Sequence, residues 1–357
     1  MYAVIMAGGR GTRFWPRSRE KKPKHLLDIV SAKTIIRETV DRILPLITPE
    51  NIYVVTGQKH SRALIGQLPE IPRGNILIEP QGKNTAACIG LAALHIVKKA
   101  DDVMIVLPSD HAIADSDRYL SLIKAGAQIA ADSDALVTIG IKPNGPQTGF
   151  GYIERGESAG RVAGEEVFRV QSIREKPQYE QAREFVASGR FYWNSGMFIW
   201  KASTIMQSIG KWLPALNEGL REINAALGLP AEAAVVRRVY RKIAAVSIDY
   251  GVMEKADNVF VLPGDFGWSD VGSWDALWEI SAKDENGNAN IGGSEITVAD
   301  SAGSLVYSPG KLVALVGVHD LIVVETKDAL LICRRGQSQD VKKIVDTLES
   351  QGGKKYL

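Results

Sequence analysis

The chain has 357 residues, of which 45% are apolar, 24% charged and 7% aromatic, with a formal net charge of +2. That length accommodates one large domain and a smaller one, the composition is that of an ordinary soluble globular protein, and the near balance of charge argues against a nucleic-acid or membrane partner, so any anion must be held by charge placed locally. No apolar run approaches the roughly 18 residues of a membrane span, no basic segment precedes the first apolar stretch as in a secretory signal, and Cys88 and Cys333 read as isolated buried thiols of a reducing cytoplasm.

Strand and helix signals alternate through the first 140 residues. Strands are predicted at 2–7, 51–56, 75–78, 103–107 and 135–141, each short, rich in Val and Ile and apolar throughout, as strands covered on both faces should be. Helices are predicted at 32–46, 59–67, 84–100 and 116–131, with Asn84 as the N-cap of the third. This alternation implies a parallel sheet with helices on both faces. Ligands of such sheets sit beyond the carboxyl ends of the strands, which singles out the loops 8–25, 79–85 and 108–112.

From 146 to 282 the pattern loosens. Glycine-punctuated strands (149–153, 166–175, 194–200) mix with helices (178–188, 202–226, 231–242), as in an insertion that builds the second half of a cleft. A polar stretch, 283–290, reads as a linker. It divides a domain spanning 1–282 from a small β module with a final helix near 338–350, together 291–357, whose last residues, 352–357, are expected to fray. No strong internal repeat is evident.

The richest string is the first. Strand 2–7 ends at Ala7 and runs into Gly8-Gly9-Arg10-Gly11-Thr12-Arg13, and Lys24 follows eleven residues after Arg13. Glycines let backbone N–H groups close around an anion; Thr12, Arg13 and Lys24 add a hydroxyl and two positive charges. The set is suited to a triphosphate. It is not a Walker loop, since no Gly-Lys pair is followed by Ser or Thr, and not a dinucleotide fingerprint, since Phe14 stands where the third glycine belongs.

Two acidic loops stand far apart: Leu107-Pro108-Ser109-Asp110-His111 and Gly267-Trp268-Ser269-Asp270-Val271-Gly272. Each offers one carboxylate among turn-forming residues, and Mg²⁺ on a triphosphate needs only one or two from the protein. In Glu79-Pro80-Gln81-Gly82-Lys83-Asn84-Thr85, the glutamate could accept from guanine N1–H and the 2-amino group, while the N-terminal amides of the helix meet phosphate or ribose oxygens. Three further strings carry groups suited to a hexose: Gln147-Thr148-Gly149-Phe150-Gly151-Tyr152, Arg174-Glu175-Lys176-Pro177 and Trp193-Asn194-Ser195-Gly196-Met197-Phe198.

Taken in order, these strings resemble those of the sugar-nucleotide pyrophosphorylases, also called sugar-1-phosphate nucleotidylyltransferases. Phe14-Trp15-Pro16 with Lys24-His25-Leu26 is most similar to the mannose-1-phosphate guanylyltransferase branch. The resemblance covers 1–282 with ordered motifs and 290–345 more loosely. It implies a Rossmann-like mixed, mostly parallel sheet, the nucleotide-diphospho-sugar transferase fold, with a truncated left-handed β-helix as the C-terminal module. It also implies that Asp110 and Asp270 hold Mg²⁺. Nucleotide would be bound by Ala7, Gly8, Gly9, Gly11, Thr12, Arg13, Lys24, Glu79, Asn84, Thr85, Ser109 and Asp110, and the sugar by Gly149, Gly151, Glu175, Lys176 and Asn194. Ser247-Ile248-Asp249-Tyr250 resembles a family string that would set Asp249 near the sugar phosphate. Phe14 stands where leucine is usual and His25 where glutamine is common; neither removes a needed chemical group. Bifunctional relatives add a C-terminal cupin, for which no room is expected after 350.

The expected reaction is synthesis of GDP-mannose and pyrophosphate from GTP and α-D-mannose 1-phosphate, catalysed by Arg13, Lys24, Asp110 and Asp270 in a cytoplasmic homodimer. The alternatives are the same chemistry on another nucleotide or hexose 1-phosphate, and a non-catalytic sugar-nucleotide sensor. A sensor could discard Lys24 or the two aspartates, and this chain has all three.

Overall fold

The computed structural model describes residues 1–9 and 11–357; Arg10 of the glycine-rich turn lies outside them. Contacts group the chain into two units. One comprises residues 1–8, 42–108 and 113–268, the other 9–41, 109–112 and 269–357.

The first unit begins with β1 (Tyr2–Ala7) and β2 (Ile52–Gly57); α1 (Ile35–Ile43), between them in sequence, belongs mainly to the second unit. Then come α2 (Gln58–Gln67), β3 (Ile76–Glu79), α3 (Asn84–Lys99) and β4 (Val103–Pro108). The short β5 (Ala112–Ile113) precedes α4 (Ser116–Asp132), β6 (Leu136–Ile141), β7 (Gly151–Val162) and β8 (Glu165–Glu175). After these lie α5 (Tyr179–Ser188), β9 (Phe191–Lys201), α6 (Ala202–Trp212), α7 (Pro214–Ala226), α8 (Glu232–Lys242), β10 (Val259–Gly264) and the short β11 (Trp268–Ser269).

Nine strands form one sheet in the order β3-β2-β1-β4-β9-β6-β10-β8-β7. The pairings fix directions: β8 and β9 oppose the others, and the remaining strands run one way. The sheet is therefore mixed and mostly parallel, as expected. Its central strands are apolar because both faces are covered; Ala3, Val4 and Ile5 are fully buried. Strand order reverses at β1, with β2 on one side and β4 on the other, and the loops that leave β1 and β4 at such a switch are where ligands bind.

Three expectations needed correction here. The segment after residue 146 is no separate insertion, because β7 to β10 continue the same sheet. Its first hairpin is longer than predicted, closed by Ala163 (φ 51°) and Gly164 (φ 86°), a two-residue turn whose twist suits antiparallel strands. The single helix expected over 202–226 is two helices, α6 and α7, meeting at Leu213 (φ −132°, ψ 60°). Pro214 lacks an N–H and drives the residue before it out of helical geometry.

The second unit gathers the turn after β1, the loop after β4 and the C-terminal quarter of the chain. Its elements are α9 (Trp274–Ile280), β12 (Ala289–Asn290), β13 (Ile296–Ala299), β14 (Leu305–Tyr307), β15 (Val313–Val316), β16 (Leu321–Glu325), β17 (Leu330–Arg334) and α10 (Val341–Ser350). Parallel pairs join Ala289 to Leu305, Leu305 to Ile322 and Ile296 to Val313, offsets of 16, 17 and 17 residues. The chain thus coils with a period that composition did not reveal. Its core mixes the two ends of the sequence: Phe14, Trp15, Leu27 and Ile35 pack with Trp274, Leu305, Ile322, Val324, Val341 and Val345. The tail is not frayed, since Lys354–Tyr356 form a turn of 3₁₀ helix. Both cysteines are unpaired, Cys88 buried and Cys333 only half-buried.

Candidate active site

The glycine-rich turn is folded around Lys24. Gly11 adopts φ 60°, and a Cβ there would lie 2.4 Å from Cβ of Lys24, so only glycine lets the two backbones approach this closely. The 3₁₀ turn Thr12–Phe14 follows, with Phe14 N–H donating to the Gly11 carbonyl at 3.0 Å and Trp15 N–H to the Thr12 carbonyl at 3.1 Å. The Ser18 hydroxyl also donates to the Gly11 carbonyl, at 2.7 Å. Arg13 itself is exposed.

Lys24 is 6% exposed. Its ammonium donates to Oδ2 of Asp110 at 2.9 Å and to the backbone carbonyl of Asp270 at 2.6 Å. Three predicted residues from distant parts of the sequence therefore meet at one nitrogen. Burial opposes the charge on Asp110, but the Lys24 ammonium, His111 and His25 outweigh it and hold the carboxyl below its ordinary range. Asp270 is pushed the other way, first by burial and further by the charge of Asp110, although Lys24, the Gly272 N–H and Arg13 oppose the shift. Gly272 N–H donates to Oδ1 of Asp270 at 2.9 Å. The next residue, Val271, is held at φ 44°, a conformation costing a branched side chain about 1–3 kcal/mol and found most often where function requires it. Ser109 is fully buried, with no hydrogen-bond partner for its hydroxyl.

Two carboxylates with an unfavourable charge coupling form a hard oxygen donor set that a divalent cation would relieve. Among the described residues, no group of three or more His, Cys, Asp or Glu side chains gathers. A cation held by these two aspartates would take phosphate oxygens and water for the rest of its shell.

The base-side string lies in the first unit. Ala7 ends β1, opposite Thr56 of β2, and Glu79 ends β3 opposite Gly57. Glu79 is 8% exposed, and its Oε1 is buried without a hydrogen-bond partner. Burial raises its pKa to about 7 against a hydrogen bond from Tyr240. The Tyr240 hydroxyl also lies 3.3 Å from the Ala87 carbonyl, and Gln81 donates to the Tyr240 carbonyl. Asn84 does not sit before its helix as a conventional cap. It opens the helix at φ 65°, and its side-chain oxygen accepts from Thr85 N–H at 2.8 Å. The Thr85 hydroxyl accepts from Ile248 N–H at 2.8 Å, and Ala86 N–H donates to the Val246 carbonyl at 3.1 Å. These bonds tie the Glu79–Thr85 string to the stretch leading into Asp249.

The sugar-side strings also converge. Gly151 faces Glu175 across β7 and β8, and a Cβ at Gly151 would sit 2.2 Å from Oε1 of Glu175 and 3.2 Å from Cβ of Asn194. Gly149 has open space around it, so crowding does not explain that glycine. The Asn194 amide donates to Oδ1 of Asp249 at 2.7 Å and accepts from Gly196 N–H at 3.1 Å. Burial raises the pKa of Glu175 and of Asp249, and the Asp249 charge adds to the shift of Glu175. Lys176, exposed and at φ 48°, donates its N–H to the Phe150 carbonyl at 3.1 Å. An open hollow of about 580 Å³ is lined by Arg174, Glu175, Lys176, Gln178, Tyr250 and Glu254. Carboxylate acceptors, an amide and ammonium groups suit polyhydroxylated, anionic ligands.

Sequence reasoning missed an aromatic cluster. Phe150 stands edge-on to Trp193 and Trp268, with ring centroids 5.0 and 5.5 Å away. One aromatic in each of three separate strings was the available signal. Glu254, whose pKa is raised by burial and by the Asp249 charge, was likewise not singled out.

Comparison with known proteins gives the family. Residues 2–287 match the nucleotidyl transferase family model, and 293–348 match a mannose-phosphate isomerase/GMP-like β-helix domain. The mannose-1-phosphate guanylyltransferase of Klebsiella pneumoniae is 40% identical over 99% of this chain and 75% of its own length. That of Escherichia coli K12 is 39% identical over 99% and 74%. This chain thus spans about three quarters of those relatives. A crystal structure of a protein named mannose-1-phosphate geranyltransferase, from Thermus thermophilus, superposes with a TM-score of 0.88 at 33% identity, covering 98% of this chain and 99% of that one. No helix among the described residues is long and apolar enough to cross a membrane. Proteins of this family generally use a divalent metal. The chain is an enzyme of the nucleotidyltransferase family and belongs to its mannose-1-phosphate guanylyltransferase group.

Proposed function

We propose that this enzyme makes GDP-mannose and pyrophosphate from GTP and α-D-mannose 1-phosphate. The observation that carries the reading is the buried Lys24 ammonium, shared between Asp110 and the Asp270 backbone beside the glycine turn. A phosphate oxygen of the sugar attacks the α-phosphorus in line, forming one phosphoanhydride bond as the bond to pyrophosphate breaks. The nucleophile is already an anion at neutral pH, so no general base is required. Catalysis is positioning and charge stabilisation. Arg13 and Lys24 neutralise the triphosphate and the charge that develops on it. Asp110 and Asp270 would hold Mg²⁺, which, when bound, neutralises phosphate charge and orients the phosphates.

Guanine is read by Glu79, whose unpartnered Oε1 is an acceptor without a donor. The sugar is read by Glu175, Asn194 and Asp249, with Lys176 available for its phosphate. The test is pyrophosphate release over a grid of four nucleoside triphosphates and several hexose 1-phosphates; GTP with mannose 1-phosphate should dominate. A better pair elsewhere on the grid would change the substrates, and no release on any pair would refute the enzyme.

The unpaired cysteines and the substrates suit the cytoplasm. A homodimer through the C-terminal module fits its exposed apolar side chains, Leu312, Val316, Leu330 and Ile332, which are 56–70% exposed. Sedimentation as a monomer at micromolar concentration would refute the dimer.

A further inference from the structure

We propose that the C-terminal segment is a clasp that positions the catalytic turn, with Arg19 as its catch. This rests on the reading of Arg13 and Lys24 given above. Arg19 lies between them in sequence, and it is not a phosphate ligand in that reading. Its backbone closes a tight turn with Lys22, N–H to carbonyl at 3.0 Å in both directions, immediately before Pro23 and Lys24. Its side chain is 17% exposed and makes contacts on both sides. Nε donates to the Pro16 carbonyl at 2.7 Å, inside the signature turn. Nη1 donates to the carbonyl of Tyr356, and Nη2 pairs with Asp328 at 2.8 Å and meets the Thr326 hydroxyl at 3.4 Å.

The Tyr356 carbonyl is held twice, because Trp15 Nε1 also donates to it, at 2.8 Å. Trp15 is anchored in turn through its own carbonyl, which accepts from Trp274 Nε1 at 3.1 Å. Two residues of the signature turn thus converge on one carbonyl near the end of the described chain. The guanidinium fork is what allows this: its donors are fixed in a plane and engage four acceptors at once, which an ammonium with three N–H groups cannot do. The path from Arg13 to Lys24 is pinned at Gly11 on one side by Ser18 and at Arg19 on the other by the tail. Released from the tail, the turn keeps its charges but loses their fixed positions. Positioning faults of this kind reduce turnover more than binding of the other substrate.

The test uses the full chain and three variants: Arg19→Ala, Arg19→Lys and a deletion of residues 353–357, with Lys24→Met as reference. Arg19→Ala and the deletion should each lower kcat about 10- to 100-fold, with KM for mannose 1-phosphate within about two-fold of the parent. Arg19→Lys should recover only part of the loss. Hydrogen exchange of amides 12–27 should quicken in Arg19→Ala and in the deletion, and stay unchanged in Lys24→Met. If Lys24→Met is inactive while Arg19→Ala and the deletion turn over normally, the clasp is wrong and the catalytic reading stands. If Lys24→Met is itself active, that reading fails and the clasp with it. Equal losses in kcat and in sugar-phosphate affinity, with exchange quickened throughout the chain, would make Arg19 merely structural and overturn the proposal.

Discussion

The protonation of Glu79 gives the sharpest handle on base recognition. Its carboxyl is moved from 4.5 to about 7 by burial, which at about 1.4 kcal/mol per pH unit sets about 3 kcal/mol against the charged form in the folded protein. The sign follows from proton counting. Below pH 4.5 the carboxyl is protonated in both states and there is no penalty. Between 4.5 and about 7 the folded state keeps a proton that the unfolded state has released, so stability falls as pH rises through that window, and above it the penalty is complete. Glu79→Gln removes the titration while keeping the shape, so the variant should match the parent near pH 4 and exceed it by up to about 3 kcal/mol at pH 8. Guanine bears on the same equilibrium. Its two donors favour the carboxylate, so guanosine binding near pH 7 should expel about half a proton. Titration calorimetry at pH 7 in buffers of different ionisation enthalpy reads this directly, and guanosine avoids the phosphate titration of GTP. Glu79→Gln should show no release and a reduced preference for GTP over ATP in kcat/KM. Guanosine binding to the parent with no proton released would refute the assignment and move base reading to backbone groups.

Four further outcomes follow from the structure. Asp110→Asn and Asp270→Asn should each lower kcat at least about 100-fold in pyrophosphate-release assays while the fold survives, as when one preorganised charge-stabilising group is lost; Lys24→Met should cost several kcal/mol in kcat/KM by removing a desolvated phosphate contact, and Arg13→Lys should also be poor because a point charge does not replace the fork. Glu175→Ala and Asn194→Ala should raise KM for mannose 1-phosphate more than for GTP, and equal effects on both would indicate a folding defect. Ending the chain after Asp284 should give an inactive, aggregating product, since the cut removes Leu305, Ile322, Val324, Val341 and Val345 from the core that holds Phe14 and Trp15; full activity in that product would show the module to be dispensable.

Much of the fold was legible because its signals are local. The strands β1 to β4 and β6 are short apolar runs between turn residues, and they fell within a residue or so of expectation. The glycine-rich turn stood out because glycine, arginine and lysine at that spacing suit an anion, and the structure brings Gly11 against Lys24. What was not legible depended on distance. Nothing in Trp193 or Trp268 taken singly points to a shared aromatic cluster with Phe150. The coil period of 16–17 residues is hidden because the repeat is one of backbone pairing and apolar position, with little identity between turns. Pro214 was visible and should have divided the helix at 213. The tail reads as polar and frayed because its main contacts are made by a backbone carbonyl, at Tyr356, and a carbonyl carries no side-chain signature.

The catalytic turn also shows why its motif strings mix charge with bulky apolar residues. A partly buried ion pair such as Lys24 with Asp110, the lysine side chain 7% and the aspartate 34% exposed, gains little net stability, because desolvation offsets the attraction. The pair therefore cannot be what draws its loops together; something else must bring them to where the pair forms. Phe14, adjacent to Arg13, is fully buried, and its ring lies 4.9 Å from that of Trp274, four residues beyond Asp270. Trp274, also fully buried, donates its indole N–H to the carbonyl of Trp15. Large buried aromatics of this kind are worth about 3–5 kcal/mol each when truncated, several times the net worth of most hydrogen bonds. The apolar residues of the two strings thus set the register, and the charged residues between them are carried into place. On the proposed reading Phe14 would serve Lys24 and Asp270 without touching a phosphate: a cavity at Phe14 would be felt at both as charge in the wrong place.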